Sequence, residues 1–138
     1  MGHQTGSDAG GGRLGWDVEL VPDERGRTAR PEADCPVEVA LAALSGRWTT
    51  LVLRELMHGA ASYGRLRERL PEISPKVLAE RLRALEDREL VLRERLVGFP
   101  VRTSYRLTTA GEALRPLLVE LYRTGAELAA LTAPEVRA

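Results

Sequence analysis

The spacing of apolar positions divides the chain into segments of different period. Residues 1–15 show no apolar period and hold six glycines, which reads as a flexible tail. Trp16-Asp17-Val18-Glu19-Leu20 alternates apolar and polar, a strand pattern with two readings: part of a largely mobile arm, or a short strand docking on the body or on a partner chain. From Pro36 the pattern turns helical. Val37, Val39, Ala40, Leu41 and Leu44 predict a first helix, ended by Ser45-Gly46. Trp48, Leu51, Val52 and Leu56 lie on one face of a second, ended by His58-Gly59. Ser62 is a candidate cap for a third helix containing Tyr63, Leu66 and Leu70, stopped by Pro71. Ser74-Pro75 pairs a capping serine with proline at the first helical position. The fourth helix opens there and runs to about Arg88. Its inward face is Leu78, Leu82 and Leu85, and the opposite face carries Lys76, Glu80, Arg83 and Asp87.

The period then falls to two. Val91–Val97 and Val101–Leu107 flank Gly98-Phe99-Pro100, the pattern of a hairpin. Thr109-x-x-Glu112 has the form of a capping box opening a last helix, with Pro116 inside it as an expected bend. Leu114, Leu117, Leu118, Leu121, Leu128 and Leu131 give that helix an apolar stripe too long for so small a body to cover. Three helices, a turn at Pro71-Glu72-Ile73, a fourth helix, a hairpin and a final helix predict a mainly α winged helix-turn-helix with a small β wing. Residues 1–34 read as a largely flexible acidic arm, 35–131 as the winged helix-turn-helix domain, and 132–138 as a tail.

Charge changes the picture once it is placed along the chain. The 138 residues hold 20 basic and 20 acidic side chains, a total that taken alone argues against nucleic acid. Residues 1–34 are net −3, however, and residues 62–107 hold 11 basic and seven acidic groups, net +4. The positive excess therefore falls on the helix-turn-helix and the hairpin. In such a pair the second helix enters the major groove. Ser74, Lys76, Val77, Glu80 and Arg83 are the candidate reading residues there. Lys and Arg suit guanine acceptors, and Glu80 suits a cytosine amine or an ion pair within the helix. Arg93, Arg95, Arg102 and Arg106 lie on the wing, with Arg95 and Arg102 the candidate contacts to phosphate or the minor groove. A winged helix that binds only protein is the alternative, since fold does not fix function.

Other chemistry finds little support. A single cysteine excludes an internal disulfide and a Cys-rich zinc site, and His3 and His58 are too few for a metal site. No metal, cofactor or enzymatic constellation is expected. Gly10-x-Gly12-x-x-Gly15 matches a dinucleotide fingerprint but follows a polar tail instead of a strand, so it is rejected. No apolar run approaches the ~20 residues of a membrane span, and no secretory signal is evident, which predicts a cytoplasmic protein.

These residues resemble the HxlR-type winged helix-turn-helix transcription regulators, relatives of the MarR group. Cys35-Pro36-Val37-Glu38, Gly46-Arg47-Trp48-Thr49, Leu53-Arg54-Glu55-Leu56, the run from Leu70 to Leu78, Arg81–Glu86, Tyr105-Arg106-Leu107-Thr108 and Gly111 carry the likeness, over roughly residues 35–128. It implies a bacterial, dimeric regulator of double-stranded DNA. The dimer would form through the N-terminal and last helices and read a palindromic site, with a small molecule or oxidant as a candidate effector. Cys35 has two readings: a small semi-buried apolar residue, or the redox sensor thiol that some relatives carry there. Two departures stand out. Glu89 replaces the usual glycine before Leu90-Val91, so the fourth helix is expected to lack a left-handed stop, and Thr124 replaces the usual Trp before Gly125.

Overall fold

A computed structural model describes residues 15–134. Most of the glycine-rich stretch, with Gly10 and Gly12, lies outside the described residues, as do residues 135–138 of the predicted tail. The chain forms two units divided after Ala42.

In the first unit the strand that Trp16–Leu20 offered as one reading does not form. The Asp17 carboxylate accepts from the Glu19 amide at 2.9 Å, and the Asp17 carbonyl accepts from Leu20 and Val21, both at 3.1 Å. An aspartate that captures nearby amides folds the backbone into a turn and defeats the alternating pattern. The Trp16 indole N–H closes the turn on the Val21 carbonyl at 2.7 Å, and the Arg27 guanidinium lies 5.4 Å over its ring. A short 3-10 helix, Glu24–Arg27, follows, capped by Asp23. Helix α1, Pro36–Ala43, comes next as predicted, with Val37, Val39 and Leu41 exposed. Ala43, which closes α1, begins the second unit and is buried in its core.

The second unit holds helix α2 (Thr49–Leu56), strand β1 (Ala61–Ser62), helices α3 (Tyr63–Arg69) and α4 (Pro75–Asp87), and strands β2 (Val91–Leu96) and β3 (Arg102–Leu107). Helices α5 (Thr109–Glu112) and α6 (Arg115–Thr132) complete it. Leu78, Leu82 and Leu85 face inward as predicted, whereas on α2 the buried face takes in Leu53, which the period had not assigned to it, and leaves Leu51 only half-buried. Leu53, Leu66, Leu78, Leu82 and Leu85 are fully buried, each a gain of about 1.5–3 kcal/mol over exposure. The sheet is antiparallel in the order β1-β3-β2. Strand β1 was not predicted, because two residues show no period.

Four local details differ from expectation. Trp48 precedes α2 instead of lying within it, at φ 81°, and packs against the core from this left-handed position. Glu89 does supply a left-handed stop, at φ 61°. Its amide reaches the Glu86 carbonyl at 2.8 Å and the Leu90 amide reaches Leu85 at 2.9 Å, the two bonds of a Schellman cap. Buried Leu85 and Leu90 supply the apolar contact of that motif. The cap of α5 is Thr108, not Thr109: its hydroxyl accepts from Gly111 at 3.1 Å and donates to the Glu89 carbonyl at 2.7 Å. Pro116 does not bend a continuous helix. The helix is interrupted after Glu112, and Pro116 sits in the first turn of α6, where its missing N–H costs nothing.

Helix α6 has 18 residues and none is buried. Leu114 and Leu118 touch the core, whereas Leu121, Leu128 and Leu131 are exposed.

Candidate nucleic-acid interface

Helix α4 is held at its start, middle and end. Ser74 caps it, its hydroxyl accepting from the Val77 amide at 3.1 Å. The Tyr63 hydroxyl, on α3, donates to the Pro75 carbonyl at 3.2 Å. Near mid-helix, Arg81 donates from Nε to the Arg47 carbonyl at 2.8 Å and lies against Gly46, which occupies φ 100°. A β-carbon there would meet the guanidinium. At the C-terminal end Glu86 pairs with Arg93 of β2 at 3.6 Å. Tyr63, Arg81 and Glu86 thus orient the helix. Their sequence signal is weak, since each partner lies on another element.

These anchors leave Lys76, Ala79, Glu80 and Arg83 exposed together. Among the described residues neither Lys76 nor Arg83 has an ion-pair partner, and Glu80 pairs with neither. Val77, placed with them by sequence, is half-buried against the core and turned away from that face. Ser74 is exposed but its oxygen is engaged in the cap.

The four wing arginines separate into two kinds. Arg93 pairs with Glu86, and Arg106 pairs with Glu94 at 3.7 Å. Arg95 and Arg102 are exposed with no ion-pair partner among the described residues. Register places them on opposite faces. Arg95 stands opposite Thr103, in line with Arg93 and Tyr105, whereas Arg102 stands opposite Leu96, in line with Ser104 and Arg106. Arg102 also lines a cleft of about 440 Å³ with Ser62, Tyr63 and Arg65 of the preceding helix-turn-helix arm. On the inner face Tyr105 is buried. Burial, then the negative charge of Glu86, raises its hydroxyl above the usual value of 10, with Arg93 opposing.

Cys35 lies in the first unit, half-buried just ahead of α1, with its carbonyl accepting from Val39 at 2.9 Å. Among the described residues no cluster of His, Cys, Asp and Glu could hold a metal ion, and no helix is long and apolar enough to cross a membrane.

Two helices joined by a tight turn, the second presenting cations, beside a hairpin with free arginines: this is the build of a winged helix-turn-helix regulator. Comparison with known proteins defines it further. The HxlR-like helix-turn-helix family model matches residues 43–132. The HTH-type transcriptional regulator YodB of Bacillus subtilis is 41% identical over 88 residues, covering 63% of this chain and 79% of YodB. The reduced form of YodB matches with a TM-score of 0.62 and 36% identity, over 74% of this chain and 98% of that one. YodB is also known in diamide-treated and quinone-bound forms. A MarR-family regulator of Porphyromonas gingivalis matches at TM-score 0.65 and 29% identity, over 72% of this chain and 98% of that one. The redox regulator HypR in its oxidised form matches at 0.61 and 27%, over 74% and 100%. The chain belongs to the HxlR-like helix-turn-helix family and is a transcriptional regulator of that type.

Proposed function

We propose that this regulator binds double-stranded DNA sequence-specifically, as a cytoplasmic homodimer on a palindromic operator. The reading domain would span residues 35–131, with 1–34 and 132–138 as flanking segments. The observation that carries the reading is a pair of cationic features without ion-pair partners among the described residues: Lys76 and Arg83 on the exposed face of α4, and Arg95 and Arg102 on the wing. Lys76, Glu80 and Arg83 address base edges in the major groove, and Ser74 donates its hydroxyl proton to a phosphate. Val77 contributes through packing. Arg95 and Arg102 hold phosphates or enter the minor groove. The uncovered apolar side of α6, with exposed apolar residues on α1, supports a two-fold dimer.

The test is a gel shift with DNA from upstream of the chain's own gene. Lys76→Ala with Arg83→Ala abolishes specific binding, and Arg102→Ala weakens it with a smaller salt slope. Unchanged affinity in both variants overturns the reading surface. No binding by the wild type favours a winged helix that binds only protein.

A response to oxidants or quinones is supported by the neighbours HypR and YodB and by the half-buried Cys35. With one cysteine per chain, any disulfide joins two chains. Diamide releases the operator from wild type but not from Cys35→Ser. Equal release by both dismisses Cys35 as the sensor.

A further inference from the structure

The wing ends in apolar residues that none of the described residues covers. Beyond the last paired residues, Leu96 and Arg102, the turn carries Val97 at 105% exposure and Phe99 at 101%, with Pro100 and Val101 beside them. A phenylalanine held fully in water at the tip of a hairpin has no part in the core. Its surroundings define what it meets. Arg95 projects from one face of the ribbon and Arg102 from the other, so a guanidinium flanks the tip on each side. No carboxylate occurs between Glu94 and Glu112. A narrow apolar tip between two outward cations complements a narrow channel with an anionic wall on each side. The minor groove of duplex DNA is such a channel, about 6 Å wide and bordered by two phosphate backbones.

We propose that Phe99 is an apolar wedge that enters the minor groove and partly unstacks one base step, while Arg95 and Arg102 hold the opposite backbones. The proposal rests on the DNA-binding reading above and adds to it a source of specificity. Pyrimidine–purine steps open most readily, so the wing prefers TA or CA at the position it enters, without hydrogen-bonding to any base edge. The ion pair between Arg93 and Glu86 joins the wing base to α4. The preferred step therefore lies at a fixed offset from the bases that Lys76 and Arg83 address.

The experiment uses the full chain and the shortest upstream duplex it shifts. Single 2-aminopurines are placed in turn along the flank of each half-site. Wild-type protein raises the fluorescence of one position per half-site, the mark of an unstacked base. Phe99→Ala removes that rise and weakens binding about tenfold where the step is TA or CA, with little change where it is a purine–purine step. Phe99→Leu retains part of both effects. The salt slope stays at the wild-type value in Phe99→Ala but falls in Arg102→Ala, which separates loss of a wedge from loss of a phosphate contact. Full affinity and an unchanged fluorescence rise in Phe99→Ala, with Lys76→Ala plus Arg83→Ala inactive, overturn the wedge and leave the DNA reading standing. If the wild type binds no duplex, the DNA reading itself falls, and the wedge with it.

Discussion

Gly111→Ala places a single methyl group where, of the described glycines in the second unit, a side chain has the least room. The new β-carbon would collide with the Leu90 carbonyl oxygen and lie 3.1 Å from Leu107 Cδ2 and 3.2 Å from the Leu90 carbonyl carbon. None of the three can move cheaply. The Leu90 carbonyl accepts from the Thr108 amide at 3.0 Å, the neighbouring Glu89 carbonyl accepts from the Thr108 hydroxyl at 2.7 Å, and both leucines are core residues. Relief requires α5 to back away from the turn between α4 and β2. That motion stretches two hydrogen bonds, each a net contribution of about 1 kcal/mol. It also loosens the packing of Leu90 and Leu107, and overpacking of this kind costs roughly 1–3 kcal/mol. The variant should lose about 2–4 kcal/mol, a large share of the roughly 5–15 kcal/mol typical of a domain. Urea denaturation at fixed protein concentration measures it. With a slope of roughly 1–2 kcal/mol/M, the midpoint falls by about 2 M. Gly64→Ala is the control, since its β-carbon meets nothing within 4 Å in α3. There the change from glycine stabilises by up to about 1 kcal/mol. A Gly111→Ala midpoint indistinguishable from wild type would refute the steric argument.

Two further outcomes are expected. Glu89→Gly raises stability by about 1 kcal/mol, because it relieves a left-handed residue and leaves the backbone bonds of the helix stop in place; a lower denaturation midpoint contradicts this. Tyr105 has a folded-state value raised above its unfolded value of about 10, so its contribution is complete below about pH 10 and is lost as pH rises through the folded value. Stability measured upward from pH 9 should fall less steeply in Tyr105→Phe than in wild type, and parallel slopes would contradict the assignment.

How much of this was legible in sequence depended on the range of the interaction. Ser62 and Ser74 cap α3 and α4 through amides three residues away, so their pattern announced them. Leu78, Leu82 and Leu85 followed helical period to the core. The capping threonine was misread by one residue because Thr108 and Thr109 both offer hydroxyls, and contact with the distant Glu89 carbonyl selects Thr108. Glu89 shows the same limit: a glutamate seldom takes a left-handed position, and here the cap it closes, with Leu85 and Leu90 packed in the core, holds it there. At the site, the exposed cations of α4 and the wing were legible as a period. Val77 was not, because its half-burial depends on neighbours outside its own helix. Nor could sequence show that Arg93 and Arg106 are paired while Arg95 and Arg102 have no ion-pair partner among the described residues.

The tether between Arg81 and the Arg47 carbonyl also restrains the roll of α4 about its own axis. Successive side chains on a helix stand about 100° apart, so a modest rotation exchanges which of them confronts a surface in front of it. Arg81 and Gly46 help set that angle, together with the buried leucines of α4, although neither belongs to the exposed face of Lys76, Glu80 and Arg83. If α4 reads DNA as proposed, binding preference can drift by substitution in the loop before α2, with every residue on the exposed face of α4 unchanged. Two relatives with identical fourth helices need not share a target.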